Sequence, residues 1–248
     1  MKKWIYRILM LVCAGVFCFA AYKLYGIWNE NHQIDTENKQ LETYVTTQKD
    51  DGPQYLEPDW TALKEENPNL VAWLYVPGVN FSYPVVQGTD NVYYLDHTAS
   101  GNVNRIGAIF LNAAASPDFT DDNSLIYGHS VDTGGMFTDL KDYADQSFFE
   151  AHPYFYILTP NGNLRCTVFA FAKTVEGTAF YQTGFGDYGS EILEEMKTTA
   201  LYTRDVDAAG QPLVTLSTCD LDYGFDSVHR LVLVGVAQPY DEPVEIEK

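Results

Sequence analysis

Eight short apolar runs, some alternating and some continuous, follow one another along most of this chain: Val71–Val76, Phe81–Gln87, Gly107–Leu111, Ser124–Tyr127, Tyr154–Thr159, Leu164–Val175, Leu213–Thr218 and Leu231–Ala237. They are rich in Val, Ile, Leu, Phe and Tyr and are bounded by Pro-Gly, Gly-Thr and Asn-Gly, which predicts β-strands. Pro160-Asn161-Gly162-Asn163 separates two of them and predicts a hairpin. Helical patterns interrupt the strands at Asn91–His97, at Met136–Tyr143, and at Tyr188–Tyr202, where Ile192, Leu193 and Met196 share a face. Asp59 is placed to cap a short helix running to Glu66, ended by Asn67-Pro68. No internal repeat is visible. Eight strands with few helices predict a mainly β fold, a closed or nearly closed barrel with peripheral helices.

The N-terminus follows a different pattern. Fifteen uncharged, mostly apolar residues lie between Arg7 and Lys23, short of the ~20 that span hydrocarbon. Aromatic flanks extend the segment: Trp4 and Tyr6 on one side, Tyr22, Tyr25 and Trp28 on the other. Two readings fit, a transmembrane anchor and a cleaved signal peptide with Cys18-Phe19-Ala20 as the cleavage site. The continuation of apolar residues to Trp28 favours the anchor. In either reading Lys2, Lys3 and Arg7 stay in the cytosol and the body is exported. The expected organisation is an anchor over 1–28, a polar, partly helical stalk over 29–58, a barrel over 59–240 and an acidic tail over 241–248.

Charge then narrows the function. The chain carries 15 Lys+Arg and 34 Asp+Glu, a net charge of −19. Residues 1–29 contain four of the basic groups and no acid, so the remainder is more acidic still. Such a surface repels phosphate backbones, which argues against nucleic-acid binding. Asp118, Asp121 and Asp122 form an acidic loop, whose ordinary reading is a solvated surface rather than a cation site. No metal or other cofactor is expected.

Three segments carry chemistry. Ser124-Leu-Ile-Tyr-Gly-His129 ends a strand in Gly-His, Leu213-Val-Thr-Leu-Ser-Thr-Cys219 ends another in a cysteine, and Val228-His229-Arg230 opens a third. A thiol can attack a carbonyl, an imidazole can protonate the leaving amine, and a guanidinium fork can hold the oxyanion. Singly, each residue has an ordinary structural reading. Together they can meet at one rim of a barrel. Cys166 lies within an apolar strand and reads as a buried, inert thiol. His229 rivals His129, but alternation sends it to the face opposite Arg230.

At these residues the sequence resembles the sortases, more narrowly those of class B. Thr215-Leu-Ser-Thr-Cys219 matches a TLxTC signature, Arg230-Leu-Val follows eleven residues on, and Tyr127-Gly-His129 matches the histidine motif. Asn67-Pro-Asn-Leu-Val-Ala-Trp73, Tyr83-Pro-Val-Val-Gln87, Gly107-Ala-Ile-Phe-Leu111 and Met136-Phe-Thr-Asp-Leu140 are also similar, as is the helix before the cysteine strand. Ser130 departs from the pattern, since many relatives carry Asn there. The Asp220-Leu-Asp222 stretch leaves any auxiliary acid unassigned. The resemblance implies an eight-stranded β-barrel transpeptidase on the outer face of a Gram-positive-type membrane. Cys219 would be the nucleophile, His129 the general acid/base and Arg230 the oxyanion and substrate clamp, with Ser217 and Thr218 shaping the pocket. The implied partners are secreted proteins bearing a C-terminal sorting signal, and an amine on peptidoglycan or a pilin. Two rivals remain at this point: an exported cysteine hydrolase of cell-wall peptides, and a non-enzymatic acidic binding module. Cysteine hydrolases of that kind usually place Cys before His and at a helix start.

Overall fold

The computed structural model describes residues 2–48, 52–79, 81–131, 134–224 and 227–246. In chain order the elements are α1 (Lys2–Glu42), β1 (Thr46–Gln48), β2 (Gln54–Leu56), α2 (Trp60–Glu66), β3 (Leu70–Val76), β4 (Phe81–Val86), β5 (Ile109–Leu111), β6 (Asn123–Tyr127), α3 (Gln146–Ala151), β7 (Tyr154–Thr159), β8 (Gly162–Val175), α4 (Gly189–Thr199), β9 (Tyr202–Thr203), β10 (Leu213–Cys219), β11 (His229–Tyr240) and β12 (Val244–Glu245). All eight expected strands form, as β3–β8, β10 and β11. They pair in the order β11-β10-β6-β5-β4-β3-β7-β8, and β8 pairs back onto β11, which closes the barrel. Closure removes the edges that an open sheet would expose.

Two pairings are parallel, β4 with β5 and β6 with β10. The second one matters most, because it aligns Ser217 with Tyr127 at the strands' C-terminal ends. Alternation along β10 sends Val214 and Leu216 into the barrel core with Leu231 and Leu233 of β11. Leu213 faces outward, into a second core beneath α4. Gly235 lies at a bulge in the β8–β11 register. A Cβ there would fall 2.5 Å from the Phe155 ring and 2.8 Å from Cys166 Cβ, so only glycine fits.

The helices are shorter than their patterns suggest. Tyr93–Leu95 and Thr138–Ala144 are 3-10 turns. The third pattern yields an α-helix only over Gly189–Thr199, after which Tyr202 and Thr203 pair with β8. The Asp59 cap forms as its position implies, its carboxylate accepting from the Thr61 and Ala62 N–H groups at 3.0 and 3.1 Å.

Two segments differ from expectation. The residues assigned to a stalk are built into the body: α1 continues without a break to Glu42, and Ile34, Leu41, Val45 and Leu56 are buried. Arg105 pairs with Glu30 at 2.5 Å, and Asn104 donates to the Glu30 carbonyl at 3.0 Å. The physical reason is a sparse apolar pattern, Ile34 and Leu41 on the helix and Val45 just past its end, hidden among polar neighbours. The expected acidic tail also docks, for β12 pairs with β2 and buries Val244. Residues 49–51 of the expected stalk and 247–248 of the expected tail lie outside the described residues.

The first part of α1 is long and apolar enough to cross a membrane. Trp4, Leu11, Phe17 and Tyr22 are each about 70% exposed along it. Docking of its second part has an energetic consequence. Leu41 is buried against the body, so Leu41→Ala should cost about 2–4 kcal/mol. Thermal unfolding of the detergent-solubilised full chain reads this directly. An unchanged midpoint would mean that the end of α1 does not belong to the cooperative unit.

Candidate active site

The barrel's topology brings the three predicted groups to one rim. Cys219 is the last residue of β10 and lies directly across from Arg230, the second residue of β11. The Gly128 N–H extends the parallel β6–β10 ladder by donating to the Ser217 carbonyl at 3.1 Å. His129 follows one residue later. Cys219, His129, Arg230 and Ser217 therefore line one cleft of about 360 Å3, floored by Phe110 and Tyr127 and bordered by Asn91, Leu95 and Glu176. Cys219 sits at a strand end, after His129 in sequence, and not at a helix start.

Ser217 and Thr218 part company. Ser217 shares the Cys219 face of β10, and its hydroxyl is 2.7 Å from the Tyr181 phenol. Burial pushes that phenol up to about 12, so it stays protonated beside the cleft. Thr218 points the other way. It is 2% exposed and its hydroxyl shares a 2.9 Å hydrogen bond with Ser130. Thr218 thus corrects the expectation that it shapes the pocket: strand alternation turns it inward, where it ties the histidine loop to the cysteine strand.

His129 is positioned from behind. Its Nε2–H donates to the Leu95 carbonyl at 2.9 Å, which leaves Nδ1 as the acceptor nitrogen of the neutral ring. Leu95 is held in turn by its surroundings. Tyr94 accepts at its hydroxyl from Asn67 and Asn69 at 3.2 and 3.0 Å. Its carbonyl accepts from Ala108 N–H at 2.9 Å. Gly107 passes so close beneath (φ +67°) that a Cβ would lie 2.5 Å from the Tyr94 carbonyl oxygen and 2.7 Å from that of Leu95. Gly128 is similarly confined, 2.4 Å at its imagined Cβ from Ile109 Cδ1.

Arg230 is held at both ends of its fork. Nη1 donates to the Ser227 and His229 carbonyls at 2.6 and 2.9 Å, and Nη2 pairs with the Glu176 carboxylate. His229 stacks on Tyr223 with ring centroids 3.7 Å apart and does not line the cleft. Cys166 is fully buried, and burial pushes its thiol up, away from the reactive thiolate. Among the described residues no group of three or more His, Cys, Asp or Glu could hold a metal. Asp118 accepts from the Ser116 and Thr120 hydroxyls and Asp121 from the Ser116 N–H, within their own loop, while Asp122 accepts from the distant Phe185 N–H, so these carboxylates are engaged in structural hydrogen bonds.

The Sortase domain family model matches residues 74–238. The chain belongs to the sortase family. It is 30% identical over 241 residues to sortase B of Listeria monocytogenes, covering 94% of this chain and 97% of that protein. Among solved structures it resembles sortase B of Bacillus anthracis in complex with AAEK1 (TM-score 0.74, 25% identity, covering 86% of this chain and 100% of that one). It also resembles a Staphylococcus aureus sortase B–substrate complex (TM-score 0.73, 26% identity, covering 86% and 99%). The class is B, and the chain is a cysteine transpeptidase that acts on sorting signals.

Sequence reasoning missed Glu176, Tyr181 and the Leu95 carbonyl. The last has no signal in side-chain identity, since any residue carries that acceptor. Gly107 was the available clue, a glycine inside a motif where close approach is required. Gly107→Ala should displace the Leu95 carbonyl and lower peptide turnover at least tenfold. Gly101→Ala is the control: its φ is also positive (+82°), but its nearest contact is 3.9 Å away. Equal losses in the two variants would show that backbone strain, not the contact beneath Leu95, is responsible.

Proposed function

We propose that Cys219, His129 and Arg230 divide the transpeptidase reaction among them as follows. The Cys219 thiol passes its proton to His129 Nδ1, and Sγ attacks the carbonyl carbon of the Thr–X bond in a sorting signal. The developing oxyanion is stabilised by donors of Arg230. The C–N bond breaks as His129 gives its proton to the departing amine, leaving a thioester on Cys219. An acceptor amine then attacks the thioester carbon, surrenders a proton to His129 and releases the Cys219 thiolate. Ser217 lines the approach, its hydroxyl held by the Tyr181 phenol. The observation that carries this reading is topological: parallel β6–β10 pairing and the Cys219–Arg230 cross-strand pair bring all three groups to one cleft.

The apolar part of α1 anchors the enzyme, with Lys2, Lys3 and Arg7 on the cytosolic side and the barrel outside, in this reading. The acceptor is an amine of peptidoglycan or of a pilin, met at high effective concentration by a tethered enzyme.

Variants test the roles. Cys219→Ala and His129→Ala should be inactive on a cognate sorting peptide. Cys166→Ala should retain most activity and His229→Ala should stay within a few-fold. Arg230→Lys should lose ~10²–10³ in rate, because an ammonium cannot reproduce the guanidinium fork. A folded but dead Cys166→Ala would overturn the nucleophile, and an Arg230→Lys retaining a third of wild-type turnover would reduce Arg230 to general positive charge.

Transfer is tested separately by mass spectrometry of the products, with and without a panel of peptidoglycan-stem amines and pilin-like lysines. The amide product should replace the hydrolysed one when the right amine is present. Efficient cleavage whose products and thioester lifetime no amine alters would favour a hydrolase.

A further inference from the structure

Glu176 follows the last residue of β8, its N–H donating to the Val228 carbonyl at 3.3 Å. It stands on the cleft wall in a direct ion pair with Arg230. The two partners are unequally placed: the Arg230 side chain is 18% exposed and the Glu176 side chain 55%. Among the described residues, they are the only Asp, Glu, Lys or Arg side chains on the lining. The guanidinium is therefore tucked behind, held by the Ser227 and His229 carbonyls, while the carboxylate is the charge that meets solvent. At short range Arg230 still offers donors beyond those already engaged, since its fork carries five. At longer range the pair cancels the cation and leaves the mouth of the cleft with a negative edge.

We propose that Glu176 is a specificity-determining residue, which makes the approach to Cys219 selective for cationic over anionic groups. The inference deepens the transpeptidase reading and rests on it for its consequence. The peptide segment passing Glu176, or an ammonium arriving there, is favoured when positively charged, and an acidic side chain at that position is rejected. Rejection follows because an acidic group would sit against an exposed carboxylate and find the guanidinium already paired. The same Arg230 that serves the oxyanion thus does not attract free carboxylates.

Charged thiol reagents test this without a peptide substrate. The full chain in detergent is treated at low ionic strength with a trimethylammonium-ethyl or a sulfonate-ethyl methanethiosulfonate, and modification of Cys219 is timed by peptide mapping. The cationic reagent should react faster with the wild type. In Glu176→Gln the ratio of cationic to anionic rates should fall about fivefold, as expected for one unit charge roughly 8 Å away in a high dielectric acting oppositely on two reagents. Glu194→Gln, on α4 and off the cleft lining, removes the same net charge and should change the ratio less than twofold. Raising the salt should shrink the wild-type preference. A ratio that is the same in wild type and Glu176→Gln, or that falls equally in Glu194→Gln, overturns the proposal. Glu176→Ala repeats the measurement with a side chain that cannot hydrogen-bond Arg230, and it must move the ratio in the same direction. The outcome is independent of peptide turnover, so an inactive enzyme would count against the transpeptidase roles and not against this one.

Discussion

The parallel pairing of β6 with β10 is the constraint on which this site depends. In a parallel pair both C-terminal ends leave the sheet on the same side, so a residue just past β6 and the last residue of β10 share a rim. The antiparallel β11 begins where β10 ends, which adds Arg230 to that rim. Were β6 reversed, His129 would lie at the far end of a five-residue strand, about 17 Å away. Such an arrangement has a kinetic cost. Residues 128–212, including β7, β8 and α4, must be accommodated between two strands that finally lie side by side. Pairings of this sequence separation are entropically expensive before they are rewarded, and they slow folding.

Strand topology brings the groups near one another, but their orientation comes from a layer behind the cleft. His129 leans on a backbone carbonyl, that carbonyl rests on a glycine, and the preceding tyrosine is pinned by two asparagines. Ser130 and Thr218 share a buried hydrogen bond linking the histidine loop to the cysteine strand. Breaking that bond from one side would leave a buried hydroxyl unpaired, at about 1–3 kcal/mol. The structure thus gives the Ser130 hydroxyl a definite partner. Arg230 is likewise held by groups from its own strand and from the end of β8, so His129 and Arg230 are supported by separate parts of the barrel.

Much of this was legible in the sequence because the signals were local. β-Branched and aromatic runs between turn residues mark all eight barrel strands, and alternation alone separates Arg230 from His229 and predicts that only one of them meets the cysteine. The same rule, applied to β10, would have turned Thr218 away from the pocket. Signals that depend on a distant partner were lost. Glu176 is one acid among 34 until β8 closes against β11 and carries it to Arg230. Val244 and Ile246 are two aliphatic residues in an acidic tail until β2 offers Val244 an edge to pair with. Ile34 and Leu41, with Val45 just past the helix end, are too sparse to stand out, yet they are enough to dock the polar second part of α1.

That docked helix changes how the enzyme relates to its surroundings. A flexible stalk would let the barrel sample many heights and tilts, and would dilute any acceptor tethered to a surface. Here α1 is one helix of 41 residues, about 60 Å long, whose apolar first part is exposed and whose second part is packed and hydrogen-bonded to the barrel. A helix resists bending far more than a coil does. The orientation of the cleft relative to the apolar segment is then a property of the fold. Arg105 and Asn104, which grip α1 at Glu30, lie just before Gly107, so the contacts that fix the helix and the glycine that fixes His129 belong to one short stretch of chain. Anything that shifts α1 on the barrel is mechanically close to His129.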